Sequence, residues 1–169
     1  TDKQFDDKLT SGLAWDLAFH HYIKNFGWGI FYSGYSSDSY YEKTNMDHNV
    51  LLSYIAPLFC TKYSFNKKWM INGEVGVGYL KFSDKISSGI EKGKTYVSTV
   101  GFNYGIGIEY KLNKHMGIGI SFNEIVGSAF LKNIKMENVH SIIAYNDYDR
   151  INLNRLNLLG GIRFYFGDR

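Results

Sequence analysis

The sequence of 169 residues contains one cysteine and one proline. Cys60 alone can close no internal disulfide and supplies no cysteine-based zinc cage, so it reads as a packed thiol. No apolar run approaches the roughly 18 to 20 residues of a spanning helix, residues 55–60 being typical of the longest, and helical membrane spans are excluded. An excess of one charge is also missing. Nineteen basic against 16 acidic residues leave +3, spread along the chain rather than gathered into a stripe that would track a phosphate backbone. Nucleic acid is therefore not an expected partner. Residues 1–9 are polar and acidic and lack the basic start and apolar core of a secretory signal; the expectation is that any such signal has been removed.

What the chain does have is aromatic residues, 17% of the total, and 18 glycines, a composition too rich in aromatic and β-branched side chains for disorder and a length that suits one domain. Their arrangement has a period of two. Over residues 100–112, Val100, Phe102, Tyr104, Ile106, Ile108, Tyr110 and Leu112 alternate with Gly101, Asn103, Gly105, Gly107, Glu109 and Lys111. One large apolar face and one small or polar face is the signature of a strand. The same division recurs in residues 11–23, 28–33, 69–82, 116–123 and 155–166. Residues 49–65 are extended but apolar on both faces, so the pattern leaves their faces open, and Pro57 within them predicts a local break in the hydrogen-bond ladder. Seven strands result.

The connections alternate in length. Residues 24–26, 66–68 and 113–114 read as tight polar turns, whereas 36–47, 83–95 and 127–150 read as long polar loops, the pattern of an up-and-down antiparallel meander. Two arguments place the bulky face outside. Seven or eight strands enclose a space that rows of Gly, Ala, Ser and Asn fill and rows of Trp, Tyr, Phe and Ile overfill. A soluble barrel, moreover, would not spend its solvent face on glycine. The expected fold is thus an all-β, up-and-down antiparallel transmembrane β-barrel, which must close because unpaired backbone groups in hydrocarbon cost several kcal/mol each. Basic residues facing lipid at mid-depth would cost about 2 to 4 kcal/mol each, and Asp16, Glu74, Glu109 and Arg163 all fall on the small face.

Counting strands back from Phe166, which ends on the tight-turn rim, puts residues 1–10 on the long-loop rim. A single-chain barrel has an even strand number with both ends on the short-turn side, so an eighth strand is expected before Thr1. On this reading residues 1–169 are one domain: 1–10 the remnant of the first extracellular loop, 11–166 the strands, 167–169 a C-terminal extension. Aromatic residues stand where interfacial belts would need them. Trp28, Trp69, Tyr110, Phe164 and Phe166 lie by the tight-turn rim, and Trp15, Tyr79, Phe102 and Phe122 nearer the other; the competing explanation is the ordinary β-propensity of aromatics.

The runs Phe26-Gly27-Trp28-Gly29-Ile30, Ser53-Tyr54-Ile55-Ala56-Pro57, Glu74-Val75-Gly76-Val77-Gly78-Tyr79 and Leu158-Leu159-Gly160-Gly161-Ile162-Arg163-Phe164-Tyr165-Phe166 carry a resemblance. Over essentially its whole length the chain resembles the small eight-stranded outer-membrane β-barrel proteins of Gram-negative bacteria, of the type found in Bacteroidetes. The last run looks like the C-terminal signal read by the barrel assembly machinery, except that Gly167, Asp168 and Arg169 follow the aromatic residue at which it usually ends. The resemblance implies export and an outer-membrane address, with short turns periplasmic and long loops extracellular. It implies no particular activity.

The inward positions Asp16, His20, Asn72, Glu74, Asn103, Glu109, Lys111, Arg155 and Arg163 predict a polar network that fills the lumen and leaves no wide channel, the alternative being an ion or proton path. No metal site is expected: His20 and His21 point to opposite faces, and His48, His115 and His140 lie apart. No cofactor and no catalysis are expected either. The Gly-x-Gly pairs at residues 76–78, 105–107 and 117–119 are strand interiors rather than phosphate loops, and the neighbours His140 and Ser141 lack an orienting acid. The long loops are the expected binding surface, through Tyr40, Tyr41, Tyr145, Asp147 and Asp149, with protein or glycan contact or weak calcium binding as the chemistry and plain solvated connections as the alternative. Lys81, outward near the long-loop rim, is a candidate for lipopolysaccharide phosphates. Three functions are weighed: a non-enzymatic barrel that displays its loops for binding or anchoring, an accessory subunit of a larger outer-membrane complex, and an enzyme acting on outer-leaflet lipid.

Overall fold

The computed structural model describes residues 12–41, 46–88, 91–130, 135–137 and 150–166. They form β1 (Leu13–Ile23), β2 (Phe26–Tyr41), β3 (Met46–Ser64), β4 (Trp69–Ser88), β5 (Glu91–Lys111), β6 (Met116–Phe130), β7 (Lys135–Glu137), β8 (Arg150–Asn152) and β9 (Arg155–Phe164). Each long strand pairs antiparallel with its neighbour in the order β1-β2-β3-β4-β5-β6-β9, while the short β7 and β8 extend the ladders of β5 and β6. This is the up-and-down meander that the alternation predicts, with seven long strands.

The long polar connections differ from expectation. Residues 36–41 and 83–88 continue β2 and β4, so the paired ladders run on to Tyr41↔Met46 and Ser88↔Glu91 instead of dissolving into loops. Polarity there reports contact with water, not loss of strand: alternating Ser, Asp, Lys and Thr keep an extended backbone paired as well as apolar residues do. Pro57 behaves as predicted. It sits opposite Ile30 of β2, but pairing with β4 skips from Ile55↔Tyr79 to Leu58↔Gly76. At the skipped step β3 and β4 approach closely, for a Cβ on Gly78 would stand 2.0 Å from the Ile55 carbonyl oxygen, and only glycine fits.

The tight turns are built from asparagine. Asn66 Oδ1 accepts the backbone N–H of Lys68 and Trp69 at 2.8 and 2.7 Å, and Asn113 Oδ1 accepts those of His115 and Met116 at 2.8 and 2.9 Å. Each side chain imitates a backbone turn and starts the next strand. The β1–β2 turn lacks this device, and Lys24 takes φ 60° there.

The sheet curls so that side chains of its two ends meet on the concave face: Asp16 of β1 reaches Asn123 of β6, and Ser33 of β2 reaches Arg155 of β9. Seven alternating strands leave β1 and β9 running parallel at the two ends. Among the described residues these end strands do not pair with each other, and a Cβ on Gly160 or Gly161 of β9 would meet nothing within 4 Å. The expected remnant 1–10 and extension 167–169 lie outside the described residues.

The concave face is not uniformly small. Phe31, Leu52, Tyr54, Ala56, Leu58 and Leu80 form a buried apolar cluster joined by Val97, Ile125, Ala129 and Leu153. The volume argument against large interior residues therefore fails for β3, whose even-numbered residues face inward, and for Phe31, Leu80, Val97 and Ile125 that pack around them; it holds where glycine and alanine fill the inward positions. Tyr54 fits because its neighbours are glycine. The carbonyl oxygens of Gly76 and Gly101 approach its hydroxyl to 3.3 and 3.4 Å, and a Cβ on Gly101 would lie 3.1 Å from its ring.

Candidate functional site

Alternation places every expected interior residue on the concave side, but the structure divides them into groups. On the β1 side, Ser33 Oγ donates to Asp16 Oδ1 at 2.5 Å and itself accepts from Arg155 Nη2, while Asn123 donates through Nδ2 to Asp16 Oδ2 at 2.5 Å and accepts at its Oδ1 from Asn157 Nδ2 at 2.9 Å. Five residues from β1, β2, β6 and β9 thus share one carboxylate and one guanidinium. Lower down, His20 Nε2 donates to Glu74 Oε2 at 3.0 Å, and Arg163 Nε donates to Glu109 Oε2 at 3.1 Å. Asn103 is fully buried and accepts the Tyr54 hydroxyl at 3.0 Å. Asn72 packs against Gly107, and Lys111 lies 5.8 Å over the Tyr165 ring near the tight-turn rim. Ser33, Asn123 and Asn157 complete the network without having been singled out, although their inward parity is legible. A further pair, His48 Nδ1 to Asp84 Oδ2 at 2.9 Å, closes the interior toward the long-hairpin rim.

The outer face is apolar and uncovered. Trp15, Trp28, Trp69, Tyr79, Phe164 and Phe166 are exposed, Phe166 to 90% and Leu158 to 76%; Tyr110 is half-buried because Trp69 stacks edge-on against it at 5.0 Å. Residues as large as Leu17, Ile106, Ile120 and Ile162 stand on this face with more than half their surface free. Glu124 departs from the expected rule. It lies outward on β6, where the Tyr104 hydroxyl donates to its Oε2. Beside this pair the wall carries an open groove of about 590 Å³, with Val77, Val100, Phe102 and Val126 along it and Thr99, Ser128, Asn152 and Asn154 as its polar lining.

Lys81 is exposed on the outer face, between Ser53 of β3 and Ser98 of β5. The backbone of Tyr40 and Tyr41 belongs to β2, opposite Asp47 and Met46. Tyr145, Asp147 and Asp149, with His140 and Ser141, lie outside the described residues. Among the described residues no group of three His, Cys, Asp or Glu side chains could hold a metal ion. No family model, no curated protein and no solved structure matches the chain.

Proposed function

We propose that this chain is the wall of an outer-membrane β-barrel, non-enzymatic, with a lumen filled by side chains and a rim of long hairpins displayed for binding or anchoring. The observation that carries the reading is the inversion of the two faces: ion pairs and buried amides inside, Leu, Ile, Phe and Trp uncovered outside. In water that arrangement exposes a continuous apolar surface far beyond the few hundred Å² a soluble protein tolerates. In a bilayer the same surface is the solvated one. The height also suits. From Trp69 to Tyr79 the outward residues of β4 rise ten steps, about 25 Å at roughly 3.3 Å per residue and a tilt of about 40°, the thickness of a barrel's apolar band. Lipid and outer-leaflet glycolipid are then the immediate partners, and assembly requires the cell's barrel-inserting machinery.

The test is depth-resolved quenching. Trp15, Trp28 and Trp69 all face outward, so protein refolded into phosphatidylcholine vesicles should lose emission when the acyl chains carry bromine. Unchanged emission, with the protein remaining in the aqueous fraction, would refute the reading.

A second reading, an accessory subunit docked through its wall to a larger outer-membrane complex, is favoured by Glu124. A carboxylate bonded to Tyr104 on the outer face suits a protein neighbour with a donor to offer better than it suits hydrocarbon.

A further inference from the structure

We infer that the outer face of the β4–β5 hairpin, immediately above the apolar band, is a binding site for the phosphate group of a membrane lipid, formed by Lys81, Ser83 and Lys85 with Ser98. The inference rests on the membrane reading above and deepens the expectation for Lys81. Lys81 and Lys85 are both exposed, and neither has an ion-pair partner among the described residues. Register makes the second lysine conspicuous, because Lys85 stands directly opposite Lys94 of β5, a like-charge cross-strand pair that destabilises a hairpin unless an anion screens it. Lys94 has company: its Nζ lies 5.7 Å over the Tyr96 ring. On the other side the outward carboxylates are Asp47, opposite Ser87 one outward step above Lys85, and Asp38 of β2, which is engaged by the amide of Asn49. Lys81 has only hydroxyls as lateral neighbours, Ser53 and Ser98.

Ser83 supplies the independent observation. It sits between the two lysines on the outward parity of β4, is 92% buried, and its hydroxyl has no hydrogen-bond partner. A buried hydroxyl left unbonded is costly, and a phosphate oxygen held by Lys81 and Lys85 would satisfy it. Ser98 is prepared in the same sense. The Tyr79 hydroxyl donates to Ser98 Oγ at 2.6 Å, which leaves the serine's own proton free to donate outward. Below this cluster lies the open groove whose apolar side is Val77, Val100, Phe102 and Val126 and whose polar side is Thr99, Ser128, Asn152 and Asn154; an acyl chain of the same lipid would lie along the apolar side. Phosphate above and acyl chain below is the polarity of a lipid in the outer leaflet, so a headgroup phosphate is the occupant rather than free phosphate.

The full chain, refolded into phosphatidylcholine vesicles containing one part in five of phosphatidylglycerol, should retain phosphatidylglycerol on extraction into mild detergent, read by native mass spectrometry. Lys81→Gln and Lys85→Gln should each lower retention roughly fivefold, the double variant more, and Ser83→Ala by a smaller factor. Lys67→Gln, on the opposite rim, should leave it unchanged, and 10-fold excess inorganic phosphate should not displace the lipid. Equal retention by wild type and the double variant, both shown by bromine quenching to be inserted, overturns the site while sparing the membrane reading. Displacement by free phosphate, or an equal loss with Lys67→Gln, overturns it as well. Failure of the wild type to insert at all refutes both together.

Discussion

The interior has two halves of opposite character. Against β3 it is apolar, with Phe31, Leu52, Tyr54, Ala56, Leu58 and Leu80 in one buried cluster, while toward β1, β6 and β9 it is a polar web around Asp16, Asn123, Asn157 and Arg155, with Glu109 and Arg163 below. The difference shows how one row of glycines does two jobs. On β4 and β5, Gly76 and Gly101 make room for a tyrosine ring from β3 and offer it carbonyl oxygens. On β6, Gly117 makes room for the Glu109 carboxylate, since a Cβ there would stand 2.8 Å from Glu109 Oε1. Small residues inside this sheet are thus spaces for particular side chains of neighbouring strands rather than the walls of a void.

If the apolar half is a packed core, its central residue should dominate stability. Tyr54→Ala removes a fully buried ring and leaves Asn103 Oδ1 without its donor, and should cost about 4 kcal/mol in urea unfolding followed by tryptophan emission. Tyr54→Phe keeps the ring and should cost only about 1 kcal/mol. A loss below 1 kcal/mol for the alanine variant would mean that the two halves do not differ in the way their packing suggests.

The polar half should respond to balance rather than to volume. Glu109→Gln leaves Arg163, which keeps partial contact with water, beside an uncharged amide and should cost about 2 kcal/mol. Adding Arg163→Met to Glu109→Met should restore part of the loss, because the pair removed together leaves no charge uncompensated. Additive losses in this double-mutant cycle would show that the two groups are not coupled, and that the polar half is packed like the apolar one.

The distinction between the halves was only partly visible in the residue pattern. Alternation gave the strand set and, through parity, the interior charges of the seven strands as expected, but not Asp84, which lies in a stretch that reads as loop and bonds His48. Chain neighbours alternate faces, so a single strand fixes which residues share a side, and Asp16, Glu74, Glu109 and Arg163 followed from that alone. Partners across the interior did not follow, because Asp16 meets Asn123 through the curl of the whole sheet, 107 positions away in sequence. On β3 the pattern itself was silent. Leu, Tyr, Ala and Cys on even positions and Leu, Ile, Pro and Phe on odd ones are equally apolar, and only pairing with β2 and β4 decides between them. Glu124 was missed for the converse reason: it obeys the period yet carries a charge on the apolar side, and its Tyr104 partner belongs to another strand. The hairpin extensions above the band were read as loops because their polarity resembles that of loops, while their alternation still allows pairing.

The smallest effect is expected outside both halves, and it supplies the scale on which they are compared. Lys24 is held at φ 60° in the two-residue turn between Ile23 and Phe26. A left-handed conformation costs an ordinary L-residue about 1 kcal/mol, and a two-residue hairpin with positive φ at its first position prefers glycine there. Lys24→Gly relieves that strain but also loosens the unfolded chain, so the net gain should be about 0.5 kcal/mol. The turn touches neither the Tyr54 cluster nor the Asp16 web, and its increment should add unchanged to Tyr54→Ala and to Glu109→Gln. Unequal increments in the two backgrounds would mean that one half loses its structure before the other, and that the interior is two cooperative units joined by a single sheet.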